Sequence, residues 1–122
     1  MREPGPEDVK FIFECYRDWP VDPRRGIVTL EKVDRWVRRW THRDDEHCLI
    51  NENGLVTFRY NMYAAVIDNL IVHPYVRGRG HSKEIIQYVT DHLFEKGVLV
   101  ATFDTLPGVV REKYPDGVVT AL

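Results

Sequence analysis

The stretch Val72-His73-Pro74-Tyr75-Val76-Arg77-Gly78-Arg79-Gly80-His81-Ser82 constrains this 122-residue chain more than any other part of it. A β-branched, mostly apolar run, Ala64 to Val72, precedes it. A helical stripe, Ile85, Ile86, Val89 and Leu93, follows it. Strand, glycine-rich turn and helix start together make an anion site. The first N–H groups of a helix have no intrahelical partner, and the helix dipole favours negative charge there. Glycines let the backbone approach a phosphate closely, and Arg77 and Arg79 add positive charge.

The elements around this loop follow from periodicity. Val9, Ile12, Phe13 and Tyr16 recur at i, i+3, i+4, i+7, which predicts a helix from about Pro6 to Trp19, stopped by Pro20 and Pro23. Val33, Trp36, Val37 and Trp40 repeat the spacing and predict a second helix over Leu30–His42, with Thr29 as its N-cap. The period then changes. Cys48–Ile50 is a short strand ended by Asn51-Glu52-Asn53-Gly54, in which Asn-Gly signals a hairpin. Val56, Phe58, Tyr60 and Met62 alternate with polar residues as a half-buried strand. Ala64–Val72 reads as a central strand, Ser82–Lys96 as a third helix closed by Gly97, and Val98–Phe103 as a further strand. Pro107–Lys113 suggests a short last helix and Val118–Thr120 a last strand. The order is α-α-β-β-β-loop-α-β-(α)-(β). The expected fold class is α/β (α+β): one domain over residues 1–122, with a mixed, mostly antiparallel sheet and a single strand–loop–helix crossover rather than a doubly wound sheet.

Composition closes other routes. Seventeen basic and nineteen acidic residues give a net charge of −2, which offers no global argument for nucleic-acid binding. No apolar run reaches the roughly 20 residues of a membrane span, and the opening residues lack the apolar core of a secretory signal. Two cysteines, Cys15 and Cys48, make no disulfide framework, so a reducing, cytoplasmic setting is expected. His42, His47 and Cys48 do not have zinc spacing, and no metal is expected.

The loop itself selects among anionic ligands. G-x-x-x-x-G-K-[ST] is absent, and G-x-G-x-x-G fails because Lys83 stands at the third glycine. Leu70-Ile71-Val72-His73-Pro74 followed by Arg77-Gly78-Arg79-Gly80-His81-Ser82 resembles the acetyl-CoA loop of the GNAT acetyltransferase superfamily, [QR]-x-x-G-x-[GA]. Arg77 and Gly80 match, and Ser82 replaces the usual small residue. The resemblance is firm over about Leu49–Phe103. It implies acetyl-CoA as acetyl donor, with the pyrophosphate on the N–H groups of Gly78, Arg79, Gly80, His81 and Ser82, Lys83 adjoining. The pantetheine arm lies along Leu70, Ile71 and Val72, with the thioester carbonyl near the Val72 amide. An amine then attacks directly, without a covalent enzyme intermediate.

The same resemblance implies a carboxylate base and a tyrosine acid. Asp68 is the base candidate, placed on the strand with the parity of Val66, Leu70 and Val72. Tyr114 is the acid candidate, although Arg111 takes the family tyrosine's register. Arg111 contacting the cofactor, or water protonating the thiolate, are the alternatives. The acceptor region holds Trp19, Arg24, Arg25, Trp36, Arg38, Arg39 and Trp40. From Arg24 to Arg43 seven basic residues stand against two acidic ones. Such a helix reads either as a recruiter of an acidic or phosphate-bearing partner or as a solvated face, with Trp36 and Trp40 in the core. The leading function is acetyl transfer to an amine of a small molecule or protein. Its rival is a non-catalytic acyl-CoA-binding or assembly module, for example phage-encoded or complex-bound, and a basic-helix nucleic-acid binder ranks third. Compared with the family, the first strand and the C-terminal strands look reduced. An open C-terminal edge invites completion by a dimer mate or partner protein.

Overall fold

Three amphipathic helices and four apolar strand segments can bury their faces only by packing helices on both sides of one sheet. The computed structural model, which describes residues 1–17, 27–42 and 45–103, shows this arrangement. Helices α1 (Val9–Tyr16), α2 (Leu30–His42) and α3 (His81–Glu95) accompany strands β1 (His47–Asn51), β2 (Gly54–Tyr60), β3 (Ala64–Val72) and β4 (Val100–Phe103). The sheet order is β1-β2-β3-β4. The first three strands are antiparallel, and β4 returns parallel to β3 after the α3 crossover. The mixed sheet predicted from periodicity is therefore present.

Each face of the sheet carries its own core. On the α3 face, Val56, Phe58, Ala65, Ile67 and Leu70 pack with Ile85, Ile86, Val89 and Leu93. On the opposite face, Leu55, Ile71, Cys48 and Ile50 pack with Ile12, Cys15, Val33 and Val37. A fully buried aliphatic side chain contributes about 1.5–3 kcal/mol, and Leu55, Val56 and Ile67 are each 0% exposed. Strand β2 is thus buried on both faces rather than half-buried as its alternation suggested.

Several boundaries move. The first helix opens as a 3-10 turn, Pro6–Asp8, before α1 begins. The Asp8 carboxylate accepts from the Gly5 N–H at 2.8 Å and from both Arg2 guanidinium nitrogens at 2.8 and 2.7 Å. Arg2 pairs with Ile50 in an isolated antiparallel bridge, with N–H···O distances of 2.9 and 2.7 Å. Arg2 thus adds a single ladder step to β1. Strand β2 starts and stops two residues earlier than its pattern suggested, leaving Met62 exposed. Strand β4 begins at Val100 because Val98 closes α3 instead: the Val98 N–H donates to Leu93 and the Gly97 N–H to Phe94, each at 3.0 Å.

The β1–β2 hairpin also corrects its signal. The two-residue loop is Glu52-Asn53, and among the described residues none other than glycine has positive φ. Asn51 Oδ1 caps the turn, accepting from the Asn53 and Gly54 N–H groups at 2.8 and 3.1 Å. Gly54 serves close approach: a Cβ there would lie 2.3 Å from the Ile71 carbonyl oxygen of β3. The proposed last helix, last strand and open C-terminal edge lie outside the described residues, as do Trp19, Arg24, Arg25, Arg43, Arg111 and Tyr114.

Candidate active site

The site begins with a fault in the β2–β3 ladder. Thr57 pairs with Asn69, but its neighbour Phe58 pairs with Ile67, so Asp68 is an extra residue on β3. A bulge of this kind re-aims side chains. Ile67 lies in the α3-side core. Asp68 meets Arg59, and Asn69 meets Thr57, on the other face. Two consecutive side chains therefore point toward α2. The parity expected for Asp68 holds with Val66 but breaks with Leu70 and Val72, which return to the α3 side.

Asp68, Asn69 and Thr57 border a cleft of about 820 Å³ between the sheet and α2. Its α2 wall is Lys32, Arg35, Trp36, Arg39 and Trp40, the positions that one helix face presents at i, i+3, i+4, i+7 and i+8. Thr29 starts that helix, its Oγ1 accepting from the Lys32 N–H at 3.2 Å. Trp36 and Trp40 are half-buried: they pack on the Val33–Val37 core and turn their other sides to the cleft, so they are not core residues only. Both Asp68 oxygens accept from Arg59 at 2.9 Å. Glu46 pairs with Arg39 at 3.3 Å. Asn69, 5% exposed, donates to Thr57 Oγ1 at 3.1 Å, and its Oδ1 is buried without a partner.

Beyond the bulge, β3 has an unused ladder edge among the described residues. Its pairing with β4 stops at Ile67–Phe103. The His73 N–H donates to the Asn53 carbonyl at 2.7 Å, so the antiparallel alternation turns the Ile71 backbone toward Leu55 of β2 and the Leu70 and Val72 backbones away from it. Leu70 and the Val72 N–H thus present strand-like donors and acceptors on the side away from β2, where the Val72 carbonyl accepts from Arg77. Ile71 presents none there, and its side chain is core.

The chain then reverses through Pro74–Val76 into the glycine loop. Gly78 and Gly80 have φ of +80° and +87°, a region costly to other residues, and a Cβ at either would meet nothing within 4 Å. The loop is an open cradle ahead of α3. Arg77 folds back, its Nε donating to the Val72 carbonyl at 3.0 Å. Arg79 is exposed, His81 contacts Glu84 at 3.3 Å, and Ser82 and Lys83 lie in the first turn of α3.

A buried tie holds this end of β3 to α1. His73, 6% exposed, stacks on Phe11 with ring centroids 5.1 Å apart. Its Nδ1 accepts from the Tyr75 N–H, so its Nε2 carries the proton donated to Glu14 at 2.9 Å. That hydrogen bond holds the Glu14 carboxyl below the usual range. Next to it, burial pushes the Cys15 thiol up to about 12, only partly opposed by the charge of Arg77. Burial raises Cys48 as well. Both thiols are protonated at neutral pH. His47 and Cys48 adjoin on β1 and so point to opposite faces.

Sequence reasoning located the loop, Asp68 and the basic helix. It missed Asn69, Arg59 and Glu46. The available signal was polar: Thr57 and Arg59 interrupt the apolar run of β2, and Asp68 and Asn69 that of β3.

A mixed, mostly antiparallel sheet with a glycine cradle at the end of β3 defines the fold, and the family match defines the class, an acetyltransferase. The model of the acetyltransferase (GNAT) family matches residues 12–109, and the chain belongs to that family. The family's acetyl donor is acetyl-CoA, and both the cradle and the Leu70–Val72 edge fit an extended pyrophosphate-bearing thioester. Solved structures share the fold. A GNAT-family acetyltransferase from Desulfovibrio desulfuricans is 11% identical with a TM-score of 0.70, covering 94% of this chain and 80% of its own. The PaiA N-acetyltransferase of Thermoplasma acidophilum, in complex with coenzyme A, is 17% identical with a TM-score of 0.62 over 92% and 85%. Glucosamine-6-phosphate N-acetyltransferase from Arabidopsis thaliana is 20% identical with a TM-score of 0.68 over 92% and 86%. No functionally curated protein sequence matches the chain.

Proposed function

We propose that this protein transfers acetyl from acetyl-CoA directly to an amine. The observation that carries this reading is the order along β3: the bulge at Asp68 borders the α2 cleft, and the strand then runs through Leu70–Val72 into the glycine cradle. Acetyl-CoA supplies a thioester, whose carbonyl carbon bonds the amine nitrogen as the C–S bond breaks. The backbone N–H groups from Gly78 to Ser82 bind the pyrophosphate, helped by the charge of Arg79 and by the first turn of α3 with Lys83. Leu70 and Val72 align the pantetheine arm. Arg77 keeps its place as a loop brace, fixing the Val72 carbonyl and adding positive charge nearby.

Asp68 accepts the proton that the amine loses, directly or through water, once an oxygen is released from Arg59. Tyr114 or water returns a proton to the thiolate. Positioning dominates such chemistry, because a thiolate leaves readily once the amine is held against the carbonyl.

One observation favours the non-catalytic alternative: both Asp68 oxygens are engaged by Arg59. Release of free thiol from acetyl-CoA across a panel of primary amines decides between them. Thiol release that depends on the amine supports transfer. Acetyl-CoA binding without any release supports the binding module.

A further inference from the structure

We infer that Asn69 orients the acceptor amine, its Oδ1 accepting one N–H while Asp68 takes the proton of the other. The inference rests on the acetyl-transfer reading for its chemistry. Its structural ground is a buried amide that is half satisfied. Asn69 is 5% exposed; its Nδ2 donates to Thr57 Oγ1 at 3.1 Å, and its Oδ1 is buried without a partner. The other buried polar side chains among the described residues are served: Asp8 by Arg2 and the Gly5 N–H, His73 by Glu14 and the Tyr75 N–H, Thr90 by the Ile86 carbonyl. Thr57, itself 5% exposed, is served by Asn69. A buried carbonyl oxygen without a donor costs free energy until something donates to it.

Position says what that donor is. Asn69 borders the α2 cleft and follows Asp68 directly, and the bulge turns both side chains to the same face. The oxygen is closed to solvent, and Asp68 beside it is held by Arg59. The release of Asp68 that the transfer reading requires uncovers both acceptors together. A primary amine meeting the thioester brings two N–H bonds and one lone pair. The lone pair forms the C–N bond as the C–S bond breaks. One N–H gives its proton to Asp68. The other stays donated to Oδ1 and remains as the N–H of the amide product. Two hydrogen bonds of fixed direction leave the lone pair a single heading, toward the carbonyl carbon, which is the positioning that such a reaction needs. A secondary amine has one N–H. Once Asp68 takes it, Oδ1 stays unpaired, and a site built to hydrogen-bond an N–H discriminates against a substrate that lacks it.

The test crosses a change in the substrate with a change in the residue. Thiol release from acetyl-CoA is measured with 2-phenylethylamine and its N-methyl derivative, and with n-hexylamine and its N-methyl derivative, for the parent and for Asn69→Leu. The aromatic pair is chosen because Trp36 and Trp40 line the facing wall of the cleft. The bulk of the N-methyl group is the same for both chains, so the comparison isolates the share due to Oδ1. The ratio of primary to secondary kcat/KM should fall about tenfold from the parent to Asn69→Leu, with the KM for acetyl-CoA unchanged. Asn69→Asp, which keeps an oxygen on the cleft, should retain the parent's ratio. A second readout needs neither turnover nor a variant. Titrating 2-phenylethylamine into the parent with coenzyme A bound should shift the Asn69 Nδ2–H signals in the NMR spectrum. Equal rates for primary and N-methyl amines in the parent overturn the inference and leave acetyl transfer standing. So does a ratio unchanged in Asn69→Leu, the result expected if the amide is reversed and Oδ1 accepts from the Thr57 hydroxyl. Absence of thiol release with every amine removes the transfer reading, and the titration then decides alone: unmoved Asn69 signals overturn the inference.

Discussion

Asp68 and Asn69 are adjacent, yet both side chains enter the same cleft, because one extra residue in β3 cancels the strand's alternation. Single residues here therefore have separable effects. Asp68→Asn should lower kcat by about 10²–10⁴, the range typical of general-base removal, and leave acetyl-CoA affinity unchanged in a steady-state assay of both parameters. An equal loss of affinity would instead assign Asp68 to holding Arg59. Gly80→Ala should weaken acetyl-CoA binding at least tenfold by fluorescence titration. Its Cβ would enter the open cradle, and the left-handed backbone at φ +87° costs a non-glycine residue about 1–2 kcal/mol. Cys15→Ser should leave the pH-rate profile unmoved, since a thiol pushed up to about 12 supplies no thiolate at working pH.

At the scale of elements, small polar ties decide where helices and strands begin. The turn before α1 depends on Asp8, whose carboxyl is held below its ordinary range first by hydrogen bonds from Arg2 and also by the Gly5 N–H. A depressed carboxyl contributes stability that is fully present above its unfolded pKa, about 3.9, and fades as pH falls through the lower folded value. Urea unfolding should therefore show Asp8→Asn less stable than the parent at pH 7, with the gap closing below about pH 4. A gap that persists at low pH would mean that the asparagine disturbs packing rather than charge. These ties also explain what the sequence hid. Helical stripes and β-branched runs announce elements, so the order and the mixed sheet were legible from residues such as Val33, Val37, Ile85 and Val89. Bulge and hairpin geometry depend on contacts remote in sequence. Gly54 looked like a turn glycine, but Ile71 of another strand requires it. Asp68 looked aligned with Leu70 until its pairing with β2 displaced it.

Across the whole molecule, two cores share one sheet, and β3 joins them, giving Ile67 and Leu70 to one face and Ile71 to the other. Ile67→Ala, at a fully buried position one residue before the bulge, should cost about 2–5 kcal/mol in urea unfolding. The same change should reduce activity in the folded fraction, because Asp68 follows it directly. The glycine motif was legible because its chemistry is local: R-G-R-G before a helix needs no distant partner. The α2 cleft was half legible. The basic stripe of α2 was visible in the sequence, but its choice between solvent and cleft depended on where the sheet lay beneath Trp36 and Trp40.

The central claim is that the loop from Arg77 to Ser82 cradles acetyl-CoA. Isothermal titration of acetyl-CoA into the parent chain and into Gly80→Glu tests it most directly. The parent should bind one acetyl-CoA per chain, and Gly80→Glu, placing a carboxylate in the cradle, should bind none while melting within a few degrees of the parent. Failure of the parent to bind, or equal binding by a folded Gly80→Glu, would contradict the account.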